Sequence, residues 1–141
     1  MQRIELWMSV FAGAAGGLLG VLWHGVVSTP WLAATLGQRA AAERRETLLQ
    51  LLAGAVVRAA AGVALGAFFW ASWGLIALVS TSWTVLGAAF GLLCWAGVAL
   101  PVAASLRTNG DLPPGVLVVH AVEWLATCLA IGLFCAYAWR H

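Results

Sequence analysis

The chain has 141 residues, of which 63% are apolar and 9% charged, with a formal charge of +2 at pH 7. Soluble domains are roughly half apolar and a quarter charged, so this balance excludes an ordinary water-soluble fold, and so small a charge argues against a nucleic-acid partner. A mean hydropathy of +0.96 points to an all-α integral membrane protein, read as one transmembrane domain over residues 1–141.

Four apolar segments each reach the roughly 20 residues a spanning helix needs. They run from about Leu6 to Val27, 51 to 73, 83 to 106 and 113 to 139, which predicts a four-helix bundle. The first follows Arg3 and carries the small-residue run Ala12 to Gly17, as a signal peptide would. Its apolar stretch continues to Val27, beyond the usual core of about 7 to 15 residues, so retention as helix one is the reading. Gly13, Gly16, Gly17 and Gly20 place two overlapping GxxxG spacings on it, and His24 follows near its end.

Residues 28–50 make the longest piece outside the spans, too short for a soluble domain. Ser28-Thr29-Pro30 has the form of a helix start, a hydroxyl cap followed by proline in the first turn. It predicts a short interfacial helix over Trp31 to Leu36, stopped by Gly37. From Gln38 onward the chain is rich in helix formers, so helix two is expected to begin before its apolar part, near Arg39. It carries Arg58 inside the span, then Gly62 and Gly66. Ser80-Thr81-Ser82 caps helix three, which holds Gly87 and Gly91 and meets Pro101 late, where a kink is expected. A turn at Thr108-Asn109-Gly110-Asp111 leads into helix four, with His120 and Glu123 one turn apart.

Small residues four apart let helix backbones approach closely, which replaces the hydrophobic drive that lipid removes. The glycine stripes therefore predict tight packing, within the monomer or between copies. Trp7, Trp70, Trp73, Trp83 and Trp139 gather at the end carrying the termini and Trp31 at the other, as interface anchors do. Cys94, Cys128 and Cys135 lie inside spans without CxxC spacing and read as small buried hydrophobes. Arg39, Arg44, Arg45 and Arg107 fall in the two loops on one side, against Arg3 and Arg140 on the other. The positive-inside rule then puts both loops in the cytoplasm and both termini on the non-cytoplasmic side.

One constellation carries chemistry. At 1.5 Å per residue, His24 lies about 8 Å inside its end of helix one, Arg58 and His120 about 10 Å inside theirs, and Glu123 about 15 Å. The four share one depth, and each continues a stripe expected to pack. An ionisable group in a span is costly, by about 2.5 to 3.5 kcal/mol on insertion scales, and marks a site or an internal ion pair. An Arg58–Glu123 pair is the plainer reading. Metal binding by His24, His120 and Glu123, haem ligation by the two histidines, and proton-linked transport or anion binding are the alternatives, with Arg58 repelling any metal. No phosphate loop, nucleophile motif or nucleotide fingerprint occurs.

Through Gly20-Val-Leu-Trp23-His24 and Trp31, then Gly91-Leu-Leu-Cys-Trp95-Ala-Gly-Val-Ala-Leu-Pro101 and His120, the chain resembles a family of small bacterial four-helix membrane proteins. This is the domain-of-unknown-function family seventeen-sixty-one. His24 stands where that family usually has tyrosine, and the phenylalanine-glycine pair usual before Trp31 is missing. The resemblance implies a four-helix bundle in a bacterial inner membrane and no activity. Together these readings predict a non-enzymatic protein without cofactor that acts by helix packing, with the bilayer, its own copies or other membrane subunits as partners. Ligand binding at the polar cluster is the competing expectation.

Overall fold

The computed structural model describes residues 2–38, 47–76, 82–108 and 113–140, and these are helical almost throughout. Among these described residues six α-helices and two π-helical turns join into four rods. The first rod is α1 (Gln2–Trp23), a π turn (His24–Ser28) and α2 (Thr29–Leu36); the second is α3 (Leu48–Ile76). The third is α4 (Trp83–Cys94), a second π turn (Trp95–Ala99) and α5 (Leu100–Thr108); the fourth is α6 (Pro114–Arg140). Each contains a stretch long and apolar enough to cross a membrane. The loop arginines 39, 44 and 45, the Ser80–Thr81 cap positions and the turn at 109–112 lie outside the described residues, as do the side chains of Trp73 and Arg107.

Two expectations about local structure are corrected. Helix one does not stop near residue 27 before a separate interfacial helix over Trp31 to Leu36; it runs unbroken through Pro30 to Leu36. Ser28 has helical angles and makes no capping bond, so it is no helix start. Proline lacks an N–H and its ring clashes with the carbonyl four residues back, here Val26. A π turn widens the helix at that point and hands acceptors to other donors. The His24 carbonyl accepts both the Thr29 backbone N–H and the Thr29 hydroxyl, the latter at 2.9 Å. Pro101 is absorbed in the same way: the π turn from Trp95 ends with the Leu100 N–H on the Trp95 carbonyl. Both prolines sit six residues after the start of a π turn. The rod finally ends at Gly37, whose φ of 82° and ψ of 153° suit glycine alone.

The second rod starts at Leu48 behind a capping box at Thr47, and not near Arg39 as the run of helix formers suggested. Gln50 N–H donates to Thr47 Oγ1 at 3.3 Å while Gln50 Oε1 accepts the Thr47 N–H at 2.8 Å. Ser82 begins the third rod with extended angles, but its hydroxyl bonds Thr84 Oγ1 at 2.8 Å instead of a backbone amide.

Neighbouring rods run antiparallel in the order second, first, fourth, third, and glycine sets every contact. A Cβ on Gly13 would collide with the Gly62 carbonyl, on Gly17 with the Arg58 carbonyl, and on Gly66 with the Ser9 carbonyl, which joins the first and second rods. Gly16 and Gly20 face Ile131 and Thr127, joining the first to the fourth; Gly87 and Gly91 face Gly132 and Cys128, joining the third to the fourth. The fourth rod is the most buried: 39% of its apolar window lies inside, against 11% for the second. The second and third rods meet where Phe69 and Phe90 pack edge to face at 4.9 Å, and make no further approach beyond Cys94. Around that contact lies the apolar core, with Phe69, Ile131, Cys135 and Ala136 fully buried. It fills the half of the bundle nearest the termini; the polar groups lie in the other half, where Val116 and Val119 are buried as well.

Candidate functional site

Arg58, His24, His120 and Glu123 come together in that second half. Glu123 is the hub, at 1% relative exposure. Arg58 Nη2 donates to its Oε1, and His24 Nδ1 donates to its Oε2 at 3.1 Å. His120 Nδ1 lies 3.7 Å from Oε2, near enough for electrostatic attraction and too far for a hydrogen bond. Since a carboxylate only accepts, the His24 contact fixes its proton on Nδ1. The first and second rods thus deliver His24 and Arg58 to a carboxylate on the fourth, and the fourth rod adds His120 one turn before it.

Local sequence explains the convergence. Gly20 has no side chain where Thr127 Oγ1 and Arg58 Cδ need space, so the Arg58 stem passes over the first rod toward Glu123. Gly54 leaves room for Arg58 Nη1 at 3.0 Å from where its Cβ would stand. His24 opens the π turn, and its carbonyl is occupied by Thr29, so the residue is pinned by backbone as well as by its ring. Thr127 Oγ1 donates to the Glu123 carbonyl at 2.9 Å and stays off the carboxylate. Trp95, at the start of the other π turn, donates its indole N–H to the Ala121 carbonyl at 2.8 Å and ties the third rod beside the site. Two buried polar atoms close to His24 in sequence, Trp23 Nε1 and Ser28 Oγ, have no hydrogen-bond partner.

His120 differs from its companions in exposure. Its side chain is 41% exposed, against 11% for His24 and 14% for Arg58. It lies on the wall of a cavity of about 420 Å³ between the second, third and fourth rods. Ala61 and Leu65, Val98 and Ala99, and Trp124 are among the other walls. The cavity occupies the wedge where the second and third rods part beyond Phe69 and Phe90. Spacing along the chain gave the four polar residues but no sign of this wedge, because a gap between rods leaves no periodic mark.

The geometry bears on the metal and haem expectations. Among the described residues no group of three or more His, Cys, Asp or Glu is arranged to hold a metal ion. The carboxylate itself sits where the two imidazoles converge, the position an ion would take, and a guanidinium holds its other oxygen. Cys94, Cys128 and Cys135 are free and buried, as small hydrophobes are; Cys135 Sγ lies 3.4 Å from the Ser9 carbonyl. Of the expected anchors, Trp7 is 58% and Trp31 37% exposed, whereas Trp83 and Trp139 pack against the apolar core.

No family model, no curated protein and no solved structure matches this chain. Function therefore has to be argued from the site.

Proposed function

We propose that this chain is a non-enzymatic, multi-pass inner-membrane protein that binds a small ligand inside its bundle, at His120 and the wedge beside it. The observation that carries this reading is the half-open imidazole on the cavity wall, linked through a buried carboxylate to Arg58 and His24. A purely structural ion pair is complete with Arg58 on Glu123, braced by His24, and needs no second imidazole facing a hollow. Apolar pockets with a few convergent polar groups are the usual form of small-molecule sites. Mass spectrometry of the protein extracted in mild detergent tests it. A retained small molecule, absent from an Ala61→Trp variant that fills the cavity, is the expected result. No retained molecule, and no thermal stabilisation by any member of a chemically varied panel, would reject it.

The glycine stripes that motivated assembly with other copies or subunits are consumed within the monomer, so they no longer favour it. A different feature does. An open apolar groove of about 660 Å³ runs between the first and fourth rods, lined by Trp23, Val26, Val122, Leu125, Ala126 and Leu129 among others. Ala126 and Ala130 stand four apart in it, leaving a shallow channel for a helix. In this second reading the protein is an accessory subunit or a homo-oligomer that packs through that groove. A strictly monomeric mass in mild detergent without copurifying subunits would remove it. In both readings the two loops face the cytoplasm, and a periplasm-dependent phosphatase fused after His141 is expected to be active.

A further inference from the structure

The wedge restricts what it can hold, and the restriction rests on the ligand-binding reading above. Its walls are alanine, valine, leucine and cysteine, with His120 and Trp124 the polar-tipped exceptions. Arg58 and Glu123 already cancel, so a charged ligand head would leave the interior with an unbalanced charge in a medium that cannot solvate it. Depth narrows the class further. His120 is six residues into α6, about 9 Å from its start at 1.5 Å per residue, so a span that begins at the headgroup boundary carries it into the hydrocarbon region. Access is from the side: the second and third rods do not approach one another beyond the Phe69–Phe90 contact.

From these points we infer that the wedge binds a neutral, small-headed amphiphile drawn from the bilayer between the second and third rods. Its single hydroxyl or carbonyl head meets His120, and its apolar body lies against Ala61, Leu65, Val98 and Ala99. At its inner end the cavity is lined by Leu65, Cys94 and Cys128, so the body points toward the middle of the bundle. Trp124 flanks the head with an aromatic face.

The test uses the full chain in phosphatidylcholine nanodiscs and four photoreactive probes of equal length: a long-chain alcohol, the matching carboxylate, the matching amine and a plain hydrocarbon. The alcohol is expected to label peptides containing residues 61–65 and 98–103 about five-fold more than the hydrocarbon, the worth of one hydrogen bond. That excess should vanish in His120→Phe, persist in His120→Gln, and all labelling there should fall in Ala99→Trp. Ala64→Phe, on the opposite wall, repeats the blockade should Ala99→Trp fail to fold, and Leu93→Trp on the outer face should change nothing. Preferential labelling by the carboxylate or the amine, still blocked from both walls, would keep the ligand site and overturn the neutral class. Labelling indifferent to both wall variants means that probes strike the rods from bulk lipid, which overturns the inference. Failure of every probe, in a protein that does retain an endogenous molecule from the cell, likewise rejects this class of ligand alone.

Discussion

At the scale of single residues, Glu123 depends on its partners more than any other side chain here. Breaking a buried pair by removing one member costs on the order of 3–5 kcal/mol, because the remaining charge stays buried without compensation. Arg58→Met should therefore lower thermal stability in detergent sharply. Arg58→Met combined with Glu123→Gln should recover most of the loss, since the pair is removed together. The His24 contact distinguishes the two imidazoles: His24→Ala takes a hydrogen bond from the carboxylate at 3.1 Å and should destabilise, whereas His120→Ala, at 3.7 Å and 41% exposed, should cost much less. Equal losses for the two histidines would contradict the division between an imidazole bonded to the carboxylate and a half-exposed one. The residues of this cluster were legible in the sequence because ionisable groups are rare in apolar spans and their depth follows from a fixed rise per residue. Which of them faces a cavity was not legible, because depth leaves rotation about the helix axis and the distance to the next rod open.

At the scale of elements, the glycines fall into two sorts that the sequence does not separate. A Cβ on Gly13 would strike the Gly62 carbonyl, so Gly13→Ala must push two backbones apart and should cost about 1–3 kcal/mol, the usual range for overpacking. Gly25 and Gly97 sit in the two π turns with nothing within 4 Å of a Cβ. Alanine there should be neutral or favourable by about 0.5–1 kcal/mol, since helical glycine carries an entropic penalty. Unfolding in graded denaturing detergent compares the three variants directly, and a large loss for Gly25→Ala would mean that its π turn is packed more closely than described. The prolines show where local rules stop. Ser28-Thr29-Pro30 satisfies the pattern of a helix start, yet a π turn carries the helix through it, because Thr29 supplies both a backbone and a hydroxyl donor to the His24 carbonyl.

Across the whole molecule, four rods arranged as second, first, fourth, third leave the outer two in contact at one end only, and that asymmetry creates both the core and the wedge. Aromatic packing of Phe69 on Phe90 fixes the closed end. Phe90→Ala should widen it, at a cost of about 3–5 kcal/mol for a buried phenylalanine, and loosen the cavity with it. Hydrogen exchange is expected to rise first in the third rod, which is held by the fourth along its length and by the second only at this contact.

Composition and periodicity by themselves determined four apolar helices, the glycine stripes along them and the four polar residues at one depth. These follow from rules acting within a single helix: a fixed rise, the length needed to cross a bilayer, and the cost of a charge among apolar neighbours. Tertiary structure alone decided that the stripes close the monomer on itself, that Glu123 gathers three partners, and that the second and third rods part to leave His120 beside a hollow. Those outcomes depend on which rods become neighbours and at what angle, and that is settled by packing between segments far apart in the chain.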